Sequence, residues 1–210
     1  SQIELRIAAL LSGDPRMIEE YELGLDRHVK TGLRITRHLH NLMEARAQDT
    51  ILLGEQSYSA AEVRRFLTEI DPLTFDKTVW PKFRLLRQMG KTGNFLIIYR
   101  GRAPKLRATI ADDLGVILPI EVCEELVAEV HREYAPYYAW QDALIEETKR
   151  TGRIELPLIG QSRMFIGSRR AVEETYLNEI VNFPIQPTAA NVMLDIQANL
   201  RSTLNKRRRK

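Results

Sequence analysis

The stretch RLLRQMGKTGNFLIIYRG, residues 84–101, decides how the rest of the sequence is interpreted. Four side chains recur in it at every fourth position, namely Arg87, Lys91, Phe95 and Tyr99. At about 100° per residue they lie along one side of a predicted helix, as an oblique stripe. Cationic groups bind phosphate oxygens, and aromatic rings stack on bases or sugars. The stripe therefore predicts a helix face that binds a nucleotide.

The opposite side of the same predicted helix carries mainly apolar residues, which are Leu86, Met89, Gly93, Leu96 and Ile97. A helix with one apolar face packs that face against a core. We therefore expect the stripe to face a cleft while the apolar side is buried.

The tripeptide Gly90-Lys91-Thr92 is similar to the end of a phosphate-binding P-loop, but the match fails. A P-loop requires a glycine where Leu85 stands, and it opens a helix after a strand. A glycine inside a helix costs about 1 kcal/mol relative to alanine. Gly90 and Gly93 therefore indicate the close approach of another group or a pivot, with tight core packing as the simpler explanation for Gly93.

The composition is that of a folded globular protein, with 44% hydrophobic and 28% charged residues among 210. No apolar run reaches the length of about 18 residues that a membrane span needs, and no charged-then-apolar leader is present. We expect a cytoplasmic, nucleoid-associated protein. The single cysteine, Cys123, cannot form an internal disulfide, and its apolar helical surroundings predict a buried thiol rather than a nucleophile.

Charge is strongly segregated along the sequence, although the net charge is only +3. Residues 81–107 contain eight basic side chains and no acidic one, whereas residues 108–147 contain ten acidic side chains and a single base, Arg132. This predicts a positive surface around the stripe and a solvated acidic surface elsewhere. Nucleic acid is the leading candidate for a partner, and a merely solvated basic helix is the alternative.

Hydrophobic periodicity and capping signals predict a mainly α protein. The predicted helices cover residues 2–11, 16–23, 26–46, 59–70, 79–99, 104–114, 119–135, 137–150, 171–183 and 188–204. One short β-hairpin is predicted from 153–158 and 163–166, which flank Gly160 and Gln161. Residues 47–58 and 71–78 are expected to be loops. The alternating residues 2–7 suggest a strand-to-helix junction at the start.

Neither a metal site nor a catalytic triad is evident from residue spacing. His38 and His40 are two positions apart, which on a helix separates them by about 200°, so they cannot chelate one ion together. Both are expected at the surface or at its boundary. No Ser/His/Asp set can be identified from the sequence.

Together these pieces resemble a family A DNA polymerase of the DNA polymerase I type. SQIELR at residues 1–6 resembles motif A without its opening Asp-Tyr, and GLDRH at residues 24–28 resembles the segment that follows it. The stripe resembles motif B, the fingers helix that closes over the incoming nucleotide. NFPIQPTAAN at residues 182–191 resembles the segment that lines the primer-template. The order and spacing of these matches make the resemblance specific.

The resemblance implies a role for each matching residue of the stripe. Arg87 and Lys91 would act as the catalytic residues of this chain and, with His28, hold the triphosphate of the incoming dNTP. Phe95 would stack on the sugar and base of that nucleotide. Tyr99 would occupy the template-base end of the same helix.

Residues near the two ends of the chain also receive roles from the resemblance. Glu4 would be the steric gate that excludes a ribose 2′-hydroxyl, and Gln2 would lie nearby in the nucleotide pocket. Asn182 and Gln186 would contact the primer-template through minor-groove acceptors that all base pairs share.

The sequence departs from the family pattern at several positions. The family has glycine at three positions where this sequence has Leu96, Arg100 and Pro187. Asn178 and Asn191 replace an arginine and an aspartate. The segment before the stripe is also longer than in compact bacterial members, and we expect the surplus to form the helix near 59–70. A phage-like or other divergent member of the family is therefore expected.

Polymerisation by this family is a phosphoryl transfer assisted by two metal ions, usually Mg²⁺. The resemblance places one metal-binding aspartate just before Ser1 and the other in a His-Asp-Glu motif after residue 210. We therefore expect no metal ligand within this chain. The expected protein is a polymerase segment, or one piece of a split enzyme whose remainder is a separate chain, and it would be inactive alone.

The resemblance also implies an arrangement of subdomains within an α+β right-hand polymerase fold. Residues 1–25 would be a palm segment, residues 26–170 the fingers, and residues 171–210 palm-side helices that contact the primer-template. The expected function is template-directed DNA synthesis, with this chain binding dNTP and primer-template. A non-catalytic helical nucleic-acid-binding module is the alternative, and a nucleotide-hydrolysing enzyme is a third class that depends on the rejected P-loop.

Overall fold

The computed structural model describes residues 3–156, 159–167 and 169–208. Within these residues the chain is mainly α, as predicted, with two short antiparallel strand pairs. The helices are α1 (Ile3–Ser12), α2 (Pro15–Glu22), α3 (Arg27–Ala45), α4 (Ala60–Glu69), α5 (Phe83–Ile98), α6 (Ala103–Leu114), α7 (Ile120–Glu133), α8 (Ala135–Thr151), α9 (Arg169–Asn182) and α10 (Ile185–Arg208). The strands are β1 (Thr50–Leu53), β2 (Gln56–Ser59), β3 (Arg153–Leu156) and β4 (Gln161–Met164).

Several helix ends lie where the sequence signals them, whereas α5 begins at Phe83 rather than at residue 79 and α10 at Ile185 rather than at residue 188. Ser59 and Glu62 form a capping box, in which the Glu62 N–H donates to Ser59 Oγ at 3.2 Å and the Ser59 N–H donates to Glu62 Oε2 at 3.0 Å. Gly115 ends α6 in the left-handed conformation, with φ 66°. Pro136 lies in the first turn of α8 and separates that helix from α7.

The predicted hairpin is present, and its strands pair from Arg153 opposite Met164 to Leu156 opposite Gln161. Gln161 therefore belongs to a strand rather than to the turn, and residues 157 and 158 of the prediction lie outside the described residues. The hairpin formed by β1 and β2 was not predicted, because residues 47–58 were expected to be a loop. Its signal is the two-residue connection that begins with Gly54, at φ 61°.

The first described residues are helical, so the predicted strand-to-helix junction is wrong. α1 begins at Ile3 and buries Leu5, Ile7, Ala8 and Ala9. Alternation over so few residues cannot distinguish a strand from the start of a helix whose next turn is also apolar.

The chain divides into two compact units, residues 1–18 with 134–210, and residues 19–133. In the first unit α1 packs against α8 and α10, and α9 packs against α8. Asp14 is fully buried there, and its carboxylate accepts hydrogen bonds from the N–H groups of Met17 and Tyr137, at 2.9 and 3.1 Å. These bounds differ from the predicted subdomain boundaries, and the assignment to palm and fingers stays a prediction.

In the second unit α3 is the central helix and contacts α4, α5 and α7. α3 and α5 cross at Gly32 and Gly90 with their backbones in close approach. A Cβ atom on Gly90 would lie 2.3 Å from His28 O and 2.5 Å from Gly32 N, and one on Gly32 would lie 2.9 Å from Leu86 O. The group that was inferred to approach Gly90 closely is therefore the backbone of α3. Gly93 has ordinary packing, because its added Cβ would meet only side chains at 3.7 Å.

The single cysteine lies in the environment that the sequence predicts. Cys123 is fully buried in α7, and burial raises the pKa of its thiol to about 11. None of the helices described combines the length and the hydropathy that crossing a bilayer would require.

Candidate nucleotide-binding site

The stripe lies on α5, and its exposure changes along the helix. The side chain of Arg87 is 32% exposed, Lys91 is exposed and Phe95 is 51% exposed. Tyr99 is only 8% exposed, because α5 ends at Ile98 and Tyr99 is its C-cap. The prediction of a single accessible face is therefore wrong for Tyr99, and the accessible stripe consists of Arg87, Lys91 and Phe95.

The end of α5 explains the position of Tyr99. Arg100 adopts the left-handed conformation, with φ 62°, at the position where the family has glycine. Its N–H donates to Ile97 O at 2.9 Å, and the N–H of Gly101 donates to Leu96 O at 2.8 Å. These bonds close the helix as a glycine-terminated helix would be closed. The departure at Arg100 therefore does not prevent a normal helix end.

Arg87 forms an ion pair with Asp26, which was not among the predicted site residues. Its Nε and Nη2 atoms both donate to Asp26 Oδ2, at 3.1 and 2.7 Å. The other carboxylate oxygen accepts from the backbone N–H groups of His28 and Val29, at 2.9 and 3.2 Å, so Asp26 also caps α3. One carboxylate thus links the stripe to the first turn of α3. An aspartate before a helical pattern is a capping signal, but its ion pair with Arg87 is not visible in the sequence.

His28 lies in that first turn and is 8% exposed. Burial is the main cause that lowers its pKa from an ordinary value of 6.5 to about 4. Within that shift Asp26 acts to raise the pKa, and Arg87 and Lys91 act to lower it. The imidazole is therefore neutral at neutral pH. As a candidate phosphate ligand it can offer a hydrogen bond but no positive charge.

Asn94 is a buried polar residue beside His28 that was not among the predicted site residues either. It is 2% exposed, and its Nδ2 donates to Arg27 O at 2.8 Å. Its Oδ1 accepts from Thr31 Oγ1 at 2.7 Å, and its Nδ2 lies 3.4 Å from His28 Nδ1. A polar residue between the cations and aromatics of a helix could signal such a contact, but only the fold shows which atoms it reaches.

Lys91 and Phe95 complete the accessible stripe. Lys91 has no ion-pair or hydrogen-bond partner among the residues that the structure describes. The ring of Phe95 packs edge-on against that of Tyr99, with centroids 5.1 Å apart and an interplanar angle of 72°. Tyr99 therefore supports an exposed aromatic ring beside an uncompensated cation. Gly90, Lys91 and Thr92 lie inside α5 rather than at the start of a helix, which is the wrong context for a P-loop.

The remaining predicted site residues belong to the unit of residues 1–18 and 134–210. Gln2 lies outside the described residues. Glu4 lies in the first turn of α1 and is partly exposed. Asn182 is the last residue of α9, with a buried Oδ1 that has no hydrogen-bond partner in the described part of the chain, and Gln186 is exposed in the first turn of α10.

Part of the acidic segment pairs with α3, so the expectation of a solvated surface is wrong for Glu129 and Glu133 of α7, whose side chains are 24% and 18% exposed. Glu133 forms ion pairs with Lys30 and Arg34. Arg34 Nε also lies 3.3 Å from Glu129 Oε1, and His38 Nε2 lies 3.0 Å from Glu129 Oε2. The cations of α3 are therefore compensated on the side that faces α7.

The histidine, cysteine and carboxylate side chains that could ligate a metal ion do not cluster in the described part of the chain. Over residues 3–156, 159–167 and 169–208 no three histidine, cysteine, aspartate or glutamate side chains lie close enough to hold one ion. The described residues therefore form no site that would hold an ion by three protein ligands alone.

Comparison with known proteins finds similarity to DNA polymerases I of bacteria. No family model matches the sequence. It is 26% identical over 196 residues to the thermostable DNA polymerase I of Thermus thermophilus, covering 92% of this chain and 18% of that protein. It is 25% identical over 193 residues to DNA polymerase I of Aquifex aeolicus, covering 92% and 25% respectively, and 27% identical over 209 residues to that of Chloroflexus aurantiacus, covering 97% and 17%.

The chain is thus a homologue of DNA polymerase I, the family A type that the motifs predicted. It spans about a fifth of the length of the curated relatives that it matches.

Proposed function

We propose that this chain supplies dNTP and primer-template binding to template-directed DNA synthesis. Two independent observations support the proposal. The chain is homologous to DNA polymerase I over most of its length. On α5, Lys91 is a cation without a partner in the described residues. It lies between the partly exposed Arg87 and the exposed ring of Phe95. The second observation carries the proposal, because homology alone does not identify which face binds.

The stripe and His28 would bind the triphosphate and the sugar. Lys91 and Arg87 supply permanent charge, and phosphate oxygens accept charge-assisted hydrogen bonds from both. Asp26 engages the Nε and Nη2 atoms of Arg87, which leaves its Nη1 atom for a ligand. Phe95 supplies a flat apolar surface for the sugar and base.

The other predicted residues would act on the sugar and on the duplex. Glu4 would exclude the ribose 2′-hydroxyl, with Gln2 in the same pocket. Asn182 and Gln186 would read minor-groove acceptors, which monitors base-pair geometry without requiring one sequence. Closure of α5 over a correct base pair would then exclude water and make the fit of that pair a condition for reaction.

Primer extension by the protein that contains this sequence tests the role of Lys91. Lys91→Ala removes a charge-assisted contact worth about 1.5–3 kcal/mol, so dNTP incorporation should fall roughly 10- to 100-fold. Lys77→Ala is the matched control, since Lys77 is also an exposed lysine but lies outside the basic segment of residues 81–107. Incorporation by the control should remain within about twofold of wild type. Unchanged incorporation by Lys91→Ala would refute the assignment of this residue.

The same assay tests Glu4 with ribonucleotides in place of deoxyribonucleotides. Glu4→Ala should incorporate rNTPs that the wild-type protein rejects, while dNTP incorporation continues. Glu22→Ala, at an exposed position of α2, is the control and should keep the wild-type preference. Rejection of rNTPs by both variants would contradict the steric-gate role.

The alternative is a non-catalytic helical nucleic-acid-binding module, and a specific observation favours it. Arg84, Arg102 and Lys105 are exposed and form no ion pair within the described residues. Such a module would bind DNA with an affinity that falls steeply with salt, and dNTP would have no effect on it. Fluorescence anisotropy of a labelled primer-template, with and without dNTP, separates the two functions.

A further inference from the structure

A chain of buried hydrogen bonds surrounds the imidazole of His28. Asn94 lies at its centre, 2% exposed, and joins α5 to the first turns of α3. Its side-chain amide has two hydrogens on Nδ2 and one acceptor oxygen. The Nδ2 atom faces Arg27 O at 2.8 Å and His28 Nδ1 at 3.4 Å, whereas the Oδ1 atom faces Thr31 Oγ1 at 2.7 Å.

The backbone determines which way this amide points. Arg27 O is a carbonyl oxygen and can only accept, so the nitrogen of Asn94 and not its oxygen must face it. The Thr31 hydroxyl then donates to Asn94 Oδ1. With one hydrogen of Nδ2 on Arg27 O, the second hydrogen is directed to the imidazole.

The orientation of the amide in turn determines the protonation of the ring. A nitrogen that accepts a hydrogen bond carries no proton, so His28 Nδ1 must be the bare nitrogen of the imidazole. In a neutral ring the proton is then on Nε2. This atom has no protein partner in the residues that the structure describes, so its N–H is left for a ligand.

We propose that Asn94 is a positioning residue that fixes His28 as the Nε2–H tautomer, so that the imidazole donates one directed hydrogen bond to the triphosphate. The part of this inference that concerns the triphosphate rests on the proposed function. The part that concerns the tautomer rests on the hydrogen bonds alone.

The charged groups around His28 are consistent with a neutral donor. Asp26, Arg87 and Lys91 act on the ring electrostatically, and Asp26 is already engaged by Arg87 and by the capped backbone. Two cations nearby supply the charge that an anion needs. Burial keeps the ring uncharged, so the imidazole contributes a directed hydrogen bond to the ligand rather than a positive charge. The ring also remains the same hydrogen-bond donor across the neutral pH range.

Nitrogen-15 NMR of the chain tests the tautomer directly. Long-range proton–nitrogen spectra at neutral pH distinguish a bare ring nitrogen from a protonated one, and His28→Gln assigns the signals by removing them. We expect Nδ1 to be bare and Nε2 protonated. The opposite tautomer, or an averaged mixture of the two, would overturn the proposal whatever the variants do.

Two variants separate positioning from packing. Asn94→Asp has nearly the same shape but places a carboxylate beside Nδ1, so the pKa of His28 should rise by about 1–3 in an NMR titration. Thr31→Val removes only the hydroxyl that faces Asn94 Oδ1, so the wild-type tautomer should persist. A tautomer lost in Thr31→Val and unchanged in Asn94→Asp would overturn the role of Asn94.

The contact with the ligand is tested with inorganic tripolyphosphate and with dNTP. Both should shift the Nε2–H signal of His28, and dNTP incorporation by Asn94→Asp should gain a pH dependence that wild type lacks. If the tautomer is as expected but neither probe moves the signal, the proposed nucleotide site is wrong and the donor role is refuted. If the probes move the signal of a ring with the opposite tautomer, the site stands and the role of Asn94 is refuted.

Discussion

Helix α3 contacts α5 and α7 in different ways, and the difference explains where the candidate site lies. Toward α5 the contact is made by backbone against backbone at Gly32 and Gly90. Toward α7 it is made by long side chains, with the cations of α3 paired to the carboxylates of α7. A backbone contact fixes the spacing of the residues around it, whereas paired side chains adapt. Arg87, Lys91 and His28, which are proposed to bind the triphosphate, are at the contact that is fixed.

The two contacts also differ in how their charges are balanced. Lys30 and Arg34 each pair with Glu133, and Arg34 also pairs with Glu129. At the α5 contact Arg87 has Asp26, but Lys91 has no partner among the described residues. Basic residues in a sequence therefore do not mark a binding surface until their partners are known. If the two contacts differ in this way, changes at α5 should affect stability more than changes at α7.

The largest effect is expected from placing a side chain in the backbone contact. In Gly90→Ala the new Cβ would lie 2.3 Å from His28 O and 2.5 Å from Gly32 N, and both are backbone atoms that cannot rotate away. The helices must separate, and the free energy of unfolding should fall by about 3 kcal/mol or more. Chemical denaturation monitored by circular dichroism measures the change.

Gly93→Ala is the matched control on the same helix. Its Cβ would meet only side chains, at 3.7 Å, and alanine is favoured over glycine in a helix by up to about 1 kcal/mol. This variant should be as stable as wild type or more stable. Equal stability of the two variants would show that the crossing of α3 and α5 is not set by the backbone contact.

These two glycines illustrate what the sequence could predict. Local signals were sufficient for the helices and their caps, because periodicity, Ser59, Gly115 and Pro136 act on neighbouring residues. The same local signals suggested that Gly90 admits another group. They could not identify that group as α3, because the contact joins segments that are far apart in the sequence.

The candidate site was predicted in part for the same reason. The spacing of Arg87, Lys91 and Phe95 places them on one face of a helix wherever that helix lies. The partners Asp26 and Asn94 were missed because they act through an ion pair and a buried amide that only the fold brings together. Tyr99 was misjudged because the end of α5 at Ile98 changes its direction.

The second effect concerns pH at the α5 contact. Unfolded histidine titrates near pH 6.5, whereas His28 in the folded protein has a pKa of about 4. Between these values the unfolded chain binds a proton that the folded chain does not bind, so stability falls as the pH drops from about 6.5 to 4 and the loss ends below 4. The full contribution is about 3 kcal/mol.

Denaturation across this pH range isolates the contribution of His28. Carboxylates also titrate there, so the quantity to measure is the difference between wild type and His28→Gln. That difference should change across the window and be constant above it. Parallel profiles for wild type and His28→Gln would contradict a buried neutral imidazole.

The third effect tests the paired side chains on the α7 side. Glu133→Gln leaves Lys30 and Arg34, whose side chains are 17% and 6% exposed, without their shared carboxylate. Lys30 still pairs with Glu20 and Arg34 with Glu129 in this variant, so the network is weakened without leaving either cation unpaired. The expected loss is about 2 kcal/mol, below the roughly 3–5 kcal/mol that a fully stranded buried charge costs. Glu124→Gln, exposed on the same helix, is the control and should have little effect. A loss equal to that of the control would mean that α7 is held by apolar packing alone.

The smallest effect distinguishes burial from the mere presence of an ion pair. Arg37 Nη1 lies 3.5 Å from Glu129 Oε1, but its side chain is 56% exposed. Arg37→Ala should therefore cost at most about 0.5 kcal/mol, because water and salt screen an exposed pair. Glu129 also keeps Arg34 and His38 in this variant, so no buried charge is stranded. A loss as large as that of Glu133→Gln would mean that the α7 contact depends on every member of the network, and that exposure does not rank its ion pairs.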